Sequence, residues 1–122
     1  MQRKLQQRQA DPELLEQVLD QLQQQGLQSD ERFTESFIES RFNKGQGPIR
    51  IRRDLKERGI PGVLIDRYME IYEGEWRDLL VQVHHAKFGS ERAGEGKELA
   101  KRARFLEYRG FPGEMIRSFL LD

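Results

Sequence analysis

The sequence predicts an all-α fold of tandem three-helix repeats forming an elongated, curved array. Three observations carry that expectation: a close internal repeat at an offset of 51 residues, apolar residues at helical spacing around glycine-proline joints, and a composition too thin for one thick core. At 122 residues the chain has the length of one ordinary domain or of a short array of smaller units. Only 36% of residues are apolar and 34% are charged, with a mean hydropathy of -0.83, which favours thin helix-on-helix cores. Basic and acidic residues balance at 21 each, and Leu, Ile, Phe, Tyr and Trp recur at helical spacing, so the chain is expected to fold.

The repeat is legible residue by residue. Residues 53–69 read R-D-L-K-E-R-G-I-P-G-V-L-I-D-R-Y-M, and residues 104–120 read R-F-L-E-Y-R-G-F-P-G-E-M-I-R-S-F-L. Leu55 pairs with Leu106, Arg58 with Arg109, Gly59 with Gly110, Ile60 with Phe111, Pro61 with Pro112, Gly62 with Gly113, Ile65 with Ile116 and Tyr68 with Phe119. A fainter copy at an offset of 50 places Leu5, Arg8, Leu14, Leu15, Val18 and Leu19 on Leu55, Arg58, Leu64, Ile65, Tyr68 and Met69, with Gln9 and Ala10 replacing Gly59 and Ile60. The shared core is a joint between two helices. Glycine adopts the left-handed conformation that ends a helix, and the proline two residues later starts the next one because it cannot continue the first. In the faint copy, Asp11 before Pro12 offers an N-cap with proline at the first helical position.

A further helix precedes each complete joint. Asp30 is placed to cap a helix whose apolar stripe is Phe33, Phe37, Ile38 and Phe42, and its counterpart runs from Trp76 through Leu79, Leu80, Val83 and Ala86 to Phe88. Turns come next at residues 43–48 and 89–96. The expected organisation is the last two helices of a repeat over residues 1–28, a second three-helix repeat over 29–73 and a third over 74–122.

No stretch approaches the roughly 18 apolar residues that span a bilayer, and the opening residues lack the apolar segment of a secretory signal. The absence of cysteine suits a reducing compartment, so a cytoplasmic location is the expectation. Nothing in the sequence points to catalysis or a cofactor. The run from Gly45 through Gly47 and Pro48 to Arg50 lacks the lysine and hydroxyl of a phosphate loop and reads as a turn. His84 and His85 are adjacent, which sends them to different sides of a helix; they make a poor metal pair and read as ordinary surface or partly buried histidines. No nucleophile, base and acid set appears, so the chain is expected not to be an enzyme. Trp76, Phe33, Phe42, Phe88, Phe105 and Phe111 occupy the repeat's apolar positions and read as core rather than as stacking platforms for bases.

The distribution of charge is more informative than its zero sum. Residues 2–10 hold three basic and no acidic residues, 11–39 eight acidic and one basic, 41–58 seven basic and two acidic, 66–78 five acidic and two basic, and 97–109 five basic and two acidic. Residues 50–58 are the strongest candidate surface. Ile51 and Leu55 point one way, while Arg52, Arg53 and Lys56 fan across roughly 100° of a neighbouring flank, with Arg50 at the helix start. Such a patch suits an acidic protein surface or DNA phosphate; it equally suits a solvated face balanced by the acidic helices. Arg41 and Lys44 extend the patch or serve the helix C-terminus through its dipole. Lys97, Lys101, Arg102 and Arg104 form a secondary patch, with Ala100 and Ala103 marking that helix's buried side.

At Asp30-Glu31-Arg32-Phe33, Phe37-Ile38-x-x-Arg41, Gly45-x-Gly47-Pro48-x-x-Ile51-x-x-x-Leu55-x-x-x-Gly59-Ile60 and Phe105-Leu106-x-x-Arg109-Gly110-Phe111, the chain resembles the RecX family, over nearly its whole length and in the family's order. The resemblance implies tandem three-helix units that bind the filament of the recombinase RecA along its groove, typically suppressing its ATPase and strand exchange, and so a place in DNA repair, recombination and the SOS response. It implies RecA as partner, DNA reached through the filament, no membrane, no cofactor and a monomeric chain. The family's opening R-x-x-S-x-x-E-L helix is absent from the sequence, so contacts made by that helix do not carry over. The alternatives the residues leave open are an autonomous helical DNA-binding protein, since basic helices at helix–turn–helix joints suit a groove, and a structural array without a regulated partner.

Overall fold

Three glycines, Gly45, Gly59 and Gly110, end three helices in the same way, and the arrangement of the chain depends on the segments each one joins. The computed structural model describes residues 12–122, and among these the regular structure is entirely helical. Helix α1 runs Pro12–Asn43, α2 Pro48–Glu57, α3 Gly62–Met69, α4 Trp76–Phe88, α5 Lys97–Arg109 and α6 Gly113–Leu121, with a 3-10 turn at Glu70–Tyr72 between α3 and α4.

The glycines have φ of 84°, 82° and 102°, the left-handed region that other residues enter at a cost. At each, the two residues past the helix turn their N–H groups back onto its last carbonyls. Ile60 donates to the Leu55 carbonyl at 3.1 Å and Gly59 to that of Lys56 at 3.0 Å; Phe111 donates to Leu106 at 3.2 Å and Gly110 to Glu107 at 3.0 Å; Gln46 donates to Arg41 at 3.0 Å and Gly45 to Phe42 at 2.9 Å. In the two repeated joints the residue after the glycine, Ile60 or Phe111, is buried together with Leu55 or Leu106 five places earlier, the apolar contact that accompanies this cap. Pro61 and Pro112 then stand in extended conformation as N-caps, one place ahead of the first helical residue, whereas Pro48 is itself the first residue of α2.

One expected boundary is not there. Asp30 does not cap a new helix: α1 passes through Gly26 and Asp30 without a break. The difference lies in the residues just beyond each glycine. Gly45, Gly59 and Gly110 all have a proline within three residues, which forbids continuation, whereas Gly26 precedes Leu27 and Gln28, good helix formers, and costs a helix only about 1 kcal/mol. The joint expected around Leu5, Arg8, Gln9, Ala10 and Asp11 lies outside the described residues.

The chain divides after Phe33 into two compact units. In the first, the helical residues Leu14, Leu15, Val18, Leu19 and Leu22 are exposed, and Phe33, expected on a buried stripe, is 41% exposed. The buried stripe of α1 is instead Thr34, Phe37 and Ile38, all in the second unit. The second unit, Thr34–Asp122, holds the core: Ile38, Ile51, Leu55, Ile65, Leu80 and Leu106 are fully enclosed, joined by Phe37, Leu64, Met69, Trp76, Phe111 and Ile116. Equivalent positions of the two repeats share the same fate. Leu55 and Leu106, Ile60 and Phe111, and Ile65 and Ile116 are buried in pairs, and Tyr68 and Phe119 are both half-buried. Phe42 of the earlier repeat packs on Trp76 of the later one, ring centroids 5.3 Å apart, with Tyr72 completing the cluster. Ala86, expected on the buried face of α4, is exposed.

The repeats also meet backbone to backbone. The Gly47 N–H donates to the Arg109 carbonyl at 2.8 Å and the Ile49 N–H to the Gly110 carbonyl at 2.9 Å. The start of α2 therefore draws its missing acceptors from the end of α5, the positive end of one helix meeting the negative end of the other. This approach leaves no room for side chains. A Cβ on Gly47 would meet the Gly110 carbonyl group, and one on Gly110 would meet Cβ and N of Arg50, whereas one on Gly59 would meet nothing within 4 Å. Gly59→Ala is expected to cost about 1–2 kcal/mol, the left-handed penalty alone. Gly110→Ala is expected to cost clearly more, and Gly47→Ala, at a φ of -82° that any residue adopts, to destabilise through the clash alone. Urea titration of the three variants checks the ranking; a Gly110→Ala loss equal to that of Gly59→Ala would show that the joint yields freely.

Candidate partner-binding surface

The basic residues singled out from the sequence separate into three groups. On α2 the apolar side is Ile51 and Leu55, both fully enclosed, because residues four apart share one face of a helix. The opposite flank carries exposed Arg53 and Lys56 and the half-buried Arg52. Arg52 reaches across to α3, its Nη1 donating to Asp66 Oδ1 at 2.7 Å, and it looks into a groove also lined by Glu70 and Glu73. Its charge is thus met by acidic neighbours, in a partly solvated ion pair of the kind that adds little stability. Arg53 lies 3.7 Å from its neighbour Asp54, which leaves its outward position intact.

Arg41, Lys44 and Arg50 border this helix. The Arg41 and Arg58 guanidinium groups stand 4.6 and 4.9 Å from the centroid of the Phe37 ring, a cation–π arrangement. Arg50 stands 5.3 Å from the exposed Tyr108 ring on α5. Lys44 is exposed in the turn after α1, and its carbonyl accepts a bond from Arg109 Nη1 at 3.0 Å, while that of Gly45 accepts at 3.4 Å. Sequence reasoning passed over Arg109 as a functional candidate. Its repeat partner Arg58 was visible, but nothing local indicates that its guanidinium spans 65 residues to clasp the turn of the preceding repeat.

On α5 the expected patch loses a member. Lys97, Lys101 and Arg104 are exposed, but Arg102 is 7% exposed and committed inward. Arg102 Nε donates to Glu98 Oε2 at 2.8 Å, Nη1 donates to the Glu91 carbonyl at 2.8 Å and lies 3.3 Å from His84 Nε2, and the group stands 5.0 Å from the Phe88 ring centroid. The buried side of α5 is therefore Arg102 and Leu106 with Ala103 half-buried, and Ala100 is exposed, contrary to the expectation that the alanines mark that side. Residues 102 and 106 fall on one face at helical spacing, so an arginine occupies a core position and ties the turn after α4 to α4 and α5.

His84 is buried, where a surface or partly buried residue was expected, while His85 is exposed. Arginine only donates, so His84 Nε2 faces Arg102 as an acceptor and the ring is neutral. Burial holds its pKa below the ordinary 6.5, and the charges of Arg102 and His85 push the same way. The hydrogen bond from Arg102 also holds the Glu98 carboxyl below its usual range. Among the described residues no group of three or more acidic, histidine or cysteine side chains could hold a metal ion, and no helix is long and apolar enough to cross a membrane.

Arg102→Met is expected to destabilise by about 1–3 kcal/mol, through the stranded Glu91 carbonyl and His84 rather than through any partner, as thermal unfolding of the isolated chain would register. Unfolded His84 gains its proton near 6.5 whereas folded His84 resists until lower pH, so the unfolded state binds more protons in between and stability falls as pH drops through that window. The melting temperature is expected to fall as the pH is lowered through the ordinary histidine range near 6.5, and His84→Leu to shrink that fall; an unchanged pH dependence in the variant would assign the effect elsewhere.

Comparison with known proteins agrees with this architecture. The family model described as RecX, second three-helix domain, matches residues 29–69, and that described as RecX, third three-helix domain, matches residues 74–120. The chain is 42% identical to a protein of Pseudomonas syringae pv. tomato named Regulatory protein RecX, over 97% of this chain and 76% of the relative. It is 44% identical to the protein of that name from Pseudomonas entomophila, with the same coverage of both chains. With the two repeats, their glycine joints and both family models in register along one sequence, the chain belongs to the RecX family of regulatory proteins.

Proposed function

We propose that the chain is a non-catalytic regulator that binds the RecA–DNA filament in the cytoplasm as a monomer and modulates, mostly by inhibition, its ATPase and recombinase activity. The observation that carries this reading is α2, a helix anchored on one side by Ile51 and Leu55 and clamped at its start by the end of α5, with Arg53 and Lys56 directed outward on a rigid support. Family membership supplies the regulatory role; the exposed cations supply a surface suited to carboxylate or phosphate partners. Arg52 contributes less than its neighbours because Asp66 already meets it. Lys97, Lys101 and Arg104 form the secondary surface, Arg41, Lys44 and Arg50 border the first, and Arg102 acts only through the fold.

The test is RecA ATPase on single-stranded DNA with the chain added, beside binding of the chain alone to DNA across salt concentrations. Inhibition without tight free-DNA binding supports the regulator; steeply salt-dependent DNA binding with no effect on RecA would instead make it an autonomous DNA-binding protein. Reversing Arg52, Arg53 and Lys56 to Glu is expected to raise the concentration needed for inhibition about tenfold or more, corresponding to about 1.4 kcal/mol. Far-ultraviolet dichroism should be unchanged. Full inhibition by the triple variant would remove this face from the contact.

A further inference from the structure

Where the later repeat meets the turn after α1, the facing sides of α4 and α5 and that turn enclose a groove of about 330 Å³. Its floor is apolar, with Leu79, Val83 and Phe105, and its rim carries Lys44, Lys87 and Arg109. None of the residues lining it is acidic. Lys87 Nζ and Arg109 Cζ stand 5.6 and 5.2 Å from the Phe105 ring centroid, so two cations converge over one aromatic side chain. The two bonds that fix Arg109 to the Lys44 and Gly45 carbonyls both use Nη1. Cations gathered above an apolar floor, with no acidic residue in the lining, raise the local potential and favour an anionic occupant.

We propose that this groove receives an acidic peptide segment of a protein partner, one apolar side chain seated on Leu79 and Val83 and the flanking carboxylates held by Lys44, Lys87 and Arg109. The volume matches the lower end of ligand pockets, about 300 Å³, which suits an anchoring side chain rather than a duplex. A nucleic-acid strand fits less well, because base stacking needs an open ring face. The Phe105 ring has Lys87 and Arg109 over it, and it meets Phe88 in a T-shaped contact at 5.4 Å, so a base would have to displace them. The proposal rests on the reading that the chain acts by binding a protein, and it adds a second contact on a face of different chemistry from α2.

The test uses the whole chain, labelled with nitrogen-15, and three probes: the blocked pentapeptide Asp-Glu-Leu-Glu-Asp, its counterpart Lys-Lys-Leu-Lys-Lys, and a short oligothymidylate. The acidic peptide is expected to give saturable amide shifts at Gly45, Gln82, Ala86 and Lys87 with a dissociation constant of about 1 mM or tighter, and the basic peptide none. Lys87→Glu should weaken binding about tenfold by reversing a rim charge, and Ala86→Trp should weaken it comparably by filling the groove with the charges intact. Both positions are exposed, so amide dispersion elsewhere should be unaltered. The proposal is overturned if no shift saturates, if the shifts centre on Arg53 and Lys56, if neither variant weakens binding, or if the oligothymidylate binds these amides more tightly than the acidic peptide. Peptide binding needs no RecA. Loss of these shifts with RecA inhibition intact therefore removes the groove alone, and the converse removes the regulator reading alone.

Discussion

The second unit depends on the contact of Gly47 with Gly110. Two backbones from different repeats come close enough for direct hydrogen bonds from Gly47 to Arg109 and from Ile49 to Gly110, with no side chain between them. That contact joins helix ends rather than helix sides. An isolated α2 would leave its first N–H groups without acceptors, and α5 would leave its last carbonyls without donors. Here each supplies the other, and Pro48, which has no N–H to satisfy, occupies the position where a donor would be hardest to place. Arg109 reinforces the joint by bonding the carbonyls of Lys44 and Gly45 from the other side.

That geometry explains why two glycines with the same local role differ in consequence. Gly59 and Gly110 make the same left-handed cap with the same pair of hydrogen bonds. Gly59 opens onto free space, whereas Gly110 lies against the backbone of Arg50. The repeat supplies a reusable helix end, and the later copy puts it to a second use as the seat for the preceding repeat's basic helix. The orientation of α2, and with it the direction in which Arg53 and Lys56 face, is therefore set by a contact on α5.

The charges show a division of labour that a zero sum conceals. Arg102 substitutes for an apolar residue in the core of the last repeat, held by Glu98, the Glu91 carbonyl and a neutral His84. Arg109 is part of the joint, Arg41 and Arg58 stand over Phe37, and Arg52 is met by Asp66. Arg53, Lys56, Lys97, Lys101 and Arg104 remain directed to solvent. Within one patch, then, some side chains are balanced by acidic neighbours and others face solvent.

Local physics made much of this legible from the amino-acid order. Glycine with a proline within the next three residues determines where α1, α2 and α5 end, because the first permits the left-handed turn and the second forbids continuation; the 3.6-residue period determines that Ile51, Leu55, Leu106 and Ile116 face inward. Where a signal lacked its partner the reading failed, as at Asp30, where no proline compels a break and the helix continues. Tertiary structure alone decided which cations are spent. A helical wheel puts Arg102 on the face of Leu106, but a charged side chain there gains a place in the core only through the arrival of His84 and the Glu91 carbonyl from α4 and the turn beyond it. The groove of Lys44, Lys87 and Arg109 was equally invisible, because its walls come from segments tens of residues apart whose meeting no local preference encodes.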